Sequence, residues 1–408
     1  MRRLTARILR SALVIGLLLT PVACGEPEKG KVTIMVPWSD TEFRAFYTVV
    51  KNFEHDHPGI DVEPQVTRAL NQQLDAAVAV GAKPDLAVLS SVGAIAKYRK
   101  YMQRLDVDTS AYVQPFRGLG MSDGHVYAVP VKADVKSLIW YDARSTPKPA
   151  SSVTALRSNS GHWCLGLLSG PTSGWPGADW IADILLADAG VKTYTDWASG
   201  KAPWHEGAVK EAWTAWGDLM GHAVLKNAPS LGFRDVIRGM LRKKCSLSHG
   251  ALSTMAFRSA EVSDDQYTYV TLSSDTLQVS ADFVGRFTEG NKSADEFIRY
   301  LASTEAQQTW VKQPGFALSA DHNVTTYDNT TQGRIAAMLR SSRYTRCFSA
   351  ADAMNPDVSA AFYRAVLDYA NGFESPPSLL AALDKVDDEL GYPRKHRLPA
   401  LCSSPNSP

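Results

Sequence analysis

The chain has no H-E-x-x-H helix and no C-x-x-C pair, so it lacks the signatures of zinc peptidases and dithiol oxidoreductases. His55 and His57 in "EHDHP" have no partners at metal-ligand spacing and read as a solvated helix end. No metal and no cofactor is predicted. No apolar run reaches the roughly 20 residues that span a bilayer, and there is no internal repeat or low-complexity segment. Nor is there an excess of positive charge. Lys and Arg number 43 against 42 Asp and Glu, and loss of residues 1–23 with their four arginines leaves a net charge of −3. That balance excludes a broad basic field for nucleic acid or anionic lipid. Cysteine is scarce, at five residues.

What is present is ample for a folded body: 408 residues, 45% of them hydrophobic, enough for two ordinary domains. The N-terminus carries Arg2, Arg3, Arg7 and Arg10, then a short apolar stretch from Ala12 to Leu19, the layout of an export signal. The following "LTPVACG" resembles a bacterial lipobox, with small Ala23 and Gly25 around Cys24 and Pro21 in place of the usual aliphatic residue. The resemblance implies cleavage before Cys24 and a lipid on its sulfur, with the folded body held at the extracytoplasmic face of the membrane by a polar tether over 24–30. The other four cysteines, Cys164, Cys245, Cys347 and Cys402, make an even set in an exported chain and predict two disulfides. Three pairings are possible, and order along the chain favours Cys164 with Cys245 and Cys347 with Cys402.

From "KVTIMVPW" to "MQRL" the pattern alternates β-branched strands with amphipathic helices; Phe43, Phe46, Val50 and Phe53 share one helical face. This spacing predicts a parallel sheet covered on both faces. "HVYAVPVKADVKSLIWYD" runs extended for too long to stay within one lobe and reads as a crossover. Beyond it the texture turns helical, with seven of the ten tryptophans between Trp163 and Trp216. "CLGLLSGPTSGWPGADWIADILL" begins as a buried strand and ends as a helix. "TLQVSADFVGRFTEG" returns as strand, and "SADEFIRYLASTEAQQTWV" is an amphipathic helix.

Taken together in this order, "VYAVPVKADVKSLIWYD", "CLGLLSGPTSGWPGADWIADILL", "FIRYLASTEAQQTW" and "FSAADAMNPDVSAAFYRAVLDYANG" resemble the family 1 extracellular solute-binding proteins of ABC transporters, and within them the alpha-glucoside-binding lipoproteins. The resemblance implies an α/β, two-lobed periplasmic-binding-protein fold (type II) with hinge strands between the lobes. Lobe 1 is expected over 31–135 and 283–320, and lobe 2 over 136–282 and 321–402. A carbohydrate ligand, permease subunits as partners, no enzymatic activity and a monomeric receptor are also implied. Two departures stand out: Leu168 and Ala182 occupy positions where relatives often carry acids.

Ligands of open α/β sheets sit beyond the carboxyl ends of the strands, where Trp38, Ser39, Asp40, Thr67, Arg68, Ser90 and Ser91 fall. A sugar offers hydroxyls and C–H ring faces, so its site pairs aromatic faces with short polar side chains. The glycine-rich loop supplies Ser173, Gly174, Trp175 and Asp179. Glu42 begins the first helix with Asp40, Lys132 and Asp134 lie on the crossover strand, and Phe283 and Phe316 lie on return segments. Each candidate also has a purely structural reading: Asp40 as a helix cap worth about 1 kcal/mol, Arg68 as partner of a surface acid, Ser90 and Ser91 as turn formers, and Trp175, Phe283 and Phe316 as packing. A receptor for a polyol, a glycerophosphodiester or an amino-sugar, and a secreted hydrolase, are the alternatives.

Overall fold

The computed structural model describes residues 30–157, 162–263, 265–372, 376–391 and 398–403. The export signal, Cys24 and the tether up to residue 29 lie outside the described residues. The β-branched opening forms β1 (Gly30–Val36), with β2 (Ile60–Val66) and β3 (Leu86–Leu89) parallel on either side in the order β2-β1-β3. Helix α1 (Asp40–Asp56) connects β1 to β2 and α2 (Leu70–Ala79) connects β2 to β3. The i, i+3, i+4, i+7 set Phe46, Val49, Val50 and Phe53 is wholly buried, which is why this segment is a helix seated on the sheet. Helix α3 (Val92–Tyr98) follows β3, with Ser91 as its cap: the Ser91 hydroxyl accepts from the Ala94 N–H at 2.9 Å.

A short turn of helix, α4 (Phe116–Leu119), and the hairpin β4 (Met121–Ser122) and β5 (His125–Val126) lead into β6 (Ala128–Val135). β6 pairs antiparallel with the long strand β10 (Thr276–Arg286). The other edge of β10 is shared. Its C-terminal end pairs with β3 and its N-terminal end with β11 (Thr345–Phe348), so Phe283 faces Pro130 and Leu89, while Val279 faces Val135 and Phe348. One pair of strands therefore threads both halves of the molecule. Helices α10 (Lys292–Leu301) and α11 (Thr304–Val311) pack on the β1 side, against β1 and α1.

The second half is built around β7 (Ile139–Asp142), flanked antiparallel by β8 (Leu247–His249) and β9 (Tyr267–Val270). Small helices α5 (Val153–Leu156), α8 (Val236–Leu241) and α9 (Ser259–Ser263) belong to this half, and α12 (Thr330–Arg340) packs on α9. Its bulk is helical: α6 (Trp175–Ala198), α7 (Gly207–Asn227), α13 (Ala350–Ala353), α14 (Pro356–Asn371) and α15 (Pro376–Leu390) pack together. Trp180, Trp197, Trp204, Trp213 and Trp216 are fully buried there, the large rings filling space between helices at high packing density. The result is a two-lobed α/β fold joined by β6 and β10. No described helix is long and apolar enough to cross a membrane.

Two disulfides join Cys164 to Cys245 and Cys347 to Cys402, with Cα separations of 5.4 and 4.0 Å, the pairing that chain order favours. In the chain-entropy account each contributes about 4 kcal/mol at most. The expected strand "CLGLL" differs: it makes a single bridge, Leu168 with Gly232, and Trp163 just before it makes another with Leu247. Gly166 explains the tight approach, since a Cβ there would sit 2.5 Å from the Gly232 carbonyl oxygen.

Candidate functional site

The carboxyl ends of β1, β2 and β3 open toward the start of α6 and the loop before it, and three cavities lie along this line. One of about 290 Å³ has Arg68, Ser90 and Ser91 on the lobe 1 side and Pro171, Asp352 and Tyr363 on the other. A smaller one of about 240 Å³ is walled by Ser39, Asp40 and Arg68 against Ser169, Phe233 and Arg234. The largest, about 610 Å³, has Thr41, Glu42 and Phe316 facing Arg234, Ser253 and Phe257. Arg68 is common to the first two and Arg234 to the last two, so one crevice runs between the lobes with a guanidinium at each narrowing.

Both arginines reach across. Arg68, after β2, donates to the Pro37 carbonyl at 3.2 Å and to the Ser169 hydroxyl of the opposite lobe at 3.3 Å. Arg234, in the turn before α8, donates to Glu42 of α1, with Asp40 at 4.0 Å. Under this crevice run the side chains of the crossover strand. Lys132, Asp134 and Lys136 alternate in sequence and so point to one face. Lys132 lies 3.1 Å from both Glu42 and Asp134 and 3.9 Å from Asp282, while Ser253 donates to Asp134 at 2.6 Å. Lys136 lies 2.9 Å from both Asp179 and Asp352, with its ammonium 5.7 Å from the centre of the Trp175 ring. Gln278 donates to Asp179 at 3.3 Å.

These pairs fix the local charges. Burial raises the Glu42 carboxyl, but Lys132 and Arg234 outweigh it and leave Glu42 below its ordinary value. Burial penalises the charge of Lys136 as well, yet the two facing carboxylates hold its proton more firmly than usual. Asp179 shares that lysine with Asp352, so burial prevails and pushes its carboxyl up to about 6. Burial likewise raises Asp134 against the pull of Lys132. At neutral pH the hinge therefore carries closed ion pairs.

The sequence-predicted residues separate into two groups. Ser39, Asp40, Glu42, Arg68, Ser90, Ser91 and Phe316 line the crevice. Ser39 occupies the cap position of α1, but its hydroxyl donates to Asp40 at 3.2 Å and caps no backbone N–H. Asp40, Ala256 and Phe316 hold φ of 52°, 53° and 56°, left-handed strain that in non-glycine residues tends to gather at ligand clamps. Trp175 opens α6, its ring edge-on to Phe233 at 5.2 Å.

The rest correct the expectation. Trp38 is buried, its ring against Phe46 and Trp310 and its N–H donated to Asp282 at 2.8 Å, so it is core rather than a plate for a ligand. Phe283 is fully buried because β10 is sandwiched between β3 and β6 at that point. Ser173 turns inward, accepting from the Ser169 N–H and donating to the Gly170 carbonyl. Gly174, at φ 105°, leaves room for the Tyr363 carbonyl 2.1 Å from where a Cβ would be; it docks the loop on α14. Lys132, Asp134 and Asp179 lie in the buried hinge pairs beneath the crevice. Ala182 is buried in α6, and the acid next to it, Asp183, meets His249 at 3.0 Å and Ser137 at 2.5 Å.

The residues that sequence reading missed are Lys136, Ser169, Phe233, Arg234, Asp352 and Tyr363. Lys136 was visible as the next step of the Lys132, Asp134 alternation. Arg234 and Asp352 lie far along the chain from their partners and carried no local signal.

The family profile described as bacterial extracellular solute-binding protein matches residues 48–334. The chain is 26% identical over 410 residues to the alpha-glucosides-binding periplasmic protein AglE of Rhizobium meliloti (strain 1021), covering 90% of this chain and 89% of that one. It is 26% identical over 388 residues to the osmoprotective compounds-binding protein GgtB of Synechocystis sp. (strain ATCC 27184 / PCC 6803 / Kazusa), covering 86% and 91%. Among solved structures, a chitin oligosaccharide binding protein superposes with a TM-score of 0.72 at 18% identity, covering 89% of this chain and 99% of that one. The bacterial solute receptor AcbH gives 0.72 at 16% identity, covering 88% and 98%. These last likenesses speak to the fold. With a profile match over most of its length, this chain belongs to the bacterial extracellular solute-binding proteins.

Proposed function

We propose that the chain is the extracytoplasmic receptor of an ABC importer, which captures a sugar or oligosaccharide between its lobes and passes it to the permease. The observation that carries this reading is the crevice itself: hydroxyls, carboxylates and guanidinium groups from both lobes face one another beside Phe233, Phe257 and Phe316. Polyhydroxylated rings are held by that combination. Arg68 and Arg234 straddle the gap, so a ligand touching both lobes favours the closed arrangement. The relative named for alpha-glucosides supports a sugar as the solute.

In this reading Cys24 carries the lipid, 24–30 is the tether, and residues 31–135 with 283–320 and 136–282 with 321–402 are the two jaws of a monomer. Ligand contacts come from Ser39, Asp40, Glu42, Arg68, Ser90, Ser91, Trp175 and Phe316, joined by Arg234 and Tyr363. No bond is made or cut. A thermal-shift screen of mono-, di- and trisaccharides tests it, because a ligand that binds only the folded state raises apparent stability by mass action. One stabilising saccharide, recovered unchanged after incubation, is the expected result; recovery of hydrolysed sugar, or no shift with any saccharide or polyol, overturns it.

A further inference from the structure

Behind the turn that carries Arg234, on the outer face of lobe 2, lies a separate groove of about 440 Å³. Its floor is apolar, with Leu165, Val224, Leu231 and Val236, and the Cys164–Cys245 disulfide forms part of the wall. Gly239 of α8 lies directly on that disulfide, where a Cβ would sit 2.6 Å from the Cys245 sulfur, so helix and disulfide are in close contact along this wall. Its lip is basic: Arg238, Arg242 and Lys244, with Lys243 alongside. Asp235 is the one acid in the lining and is already taken by Arg238. Among the described residues, Arg242 and Lys244 have no carboxylate within ion-pair distance. Leu231 and Leu241 stand 38% and 45% exposed beside them.

This concentration of unspent positive charge occurs on a chain that is net acidic without its first 23 residues. The groove and the crevice also share a wall. Leu231 and Asp235 face the groove, while Phe233 and Arg234, between them, face the crevice, and Arg234 reaches Glu42 of the other lobe. Whatever seats in the groove therefore contacts the turn whose position depends on how the lobes meet.

We infer that this groove is the docking site for an acidic segment of the importer's permease, an apolar side chain entering between Leu231 and Val236 while flanking carboxylates pair with Arg242 and Lys244. The inference rests on the receptor reading above. Charge complementarity of this kind steers association and selects partners, and placement on the Arg234 turn lets the partner sense closure.

The test is uptake by cells that depend on this receptor for a saccharide it binds, comparing wild type with the R238E/R242E/K244E variant, and with R242E alone in case the triple change unfolds the protein by thermal melting. Uptake is expected to fall about tenfold or more in the triple variant, and measurably in R242E, with saccharide affinity unchanged within about twofold. Saccharide binding intact and uptake equal to wild type overturns the docking surface alone. A wild-type protein that binds no saccharide overturns the receptor reading and this surface with it. Wild-type protein captured by phosphatidylglycerol-containing vesicles but not by phosphatidylcholine vesicles, with R242E captured by neither, reassigns the groove to the lipid surface and overturns the permease assignment.

Discussion

Replacing Arg234 by Met keeps the aliphatic stem and removes the guanidinium that reaches Glu42 across the crevice. Its cost follows from what is left behind. Glu42 retains Lys132 at 3.1 Å, so no buried carboxylate is stranded, and the 3–5 kcal/mol penalty of an orphaned buried charge does not apply. What is lost is one charge-assisted hydrogen bond, for which the usual range is about 1.5–3 kcal/mol. The Arg234 side chain is 29% exposed, which places the loss near the lower end, about 1.5 kcal/mol. That is about tenfold in the ratio of closed to open forms. If the saccharide binds the closed form and that form is the minority in the free protein, its apparent Kd rises by at least about the same factor, through the reduced fraction of competent protein together with the loss of the guanidinium as a ligand contact. Small-angle scattering of the ligand-free protein and spin-label distances between the lobes report the first effect, and calorimetric titration reports the second. Both should shrink in high salt as screening shortens the Debye length. Arg364→Gln, at the exposed Arg364–Asp368 pair of α14, is the control and should change neither. An Arg234→Met protein with unaltered interlobe distances and an affinity within twofold of wild type would refute the view that this bridge joins the jaws.

Other expectations follow from the same geometry. Trp175→Ala should weaken saccharide binding by about 1 kcal/mol, roughly fivefold, through loss of a ring face, while melting within a few degrees of wild type; calorimetry and a thermal scan check both. Gly174→Ala forces a Cβ against the Tyr363 carbonyl at a φ of 105° and should destabilise by at least about 1–3 kcal/mol, read by urea denaturation. The Asp179 carboxyl, raised to about 6 by burial, binds its proton more tightly folded than unfolded. Its favourable contribution is therefore present below about pH 4 and is lost as pH rises through 6. The stability difference between wild type and Asp179→Asn, from denaturation at several pH values, should shift against the wild type over that interval. Glu42 has the opposite sign. Held below its ordinary value by Lys132 and Arg234, it supports the bridge above about pH 4.5, and that support fades on further acidification.

Much of lobe 1 was legible because its signals are local. The β-branched run of β1 and the 43, 46, 50, 53 stripe of α1 each specify an element within one stretch of chain, and parallel strands with helical returns follow. The length of the extended stretch ending in "IWYD" disclosed the crossover, which the structure resolves into β6 and β7 on either side of Lys136. The side of the crevice built at the ends of β1, β2 and β3 was legible for the same reason. Burial was not. Trp38 and Phe283 carry ring faces that sequence alone cannot assign to crevice or core, and only the strands and helices beside them decide. Arg234 comes from the turn before α8 and Asp352 from the one-turn helix α13, both too short to carry a periodic signature of their own. The hinge carboxylates show the same limit, since Asp179 looks available in sequence but is consumed by Lys136 once β6 passes beneath α6.

The account rests most on one guest held between two moving lobes without chemistry. Calorimetric titration with the saccharide found by screening, run alongside spin-label distances between lobe 1 and lobe 2, tests that directly. A single saturable site, a shortening of the interlobe distance that tracks occupancy, and sugar recovered intact are predicted; binding that leaves the distance unchanged, or sugar returned cleaved, would contradict it.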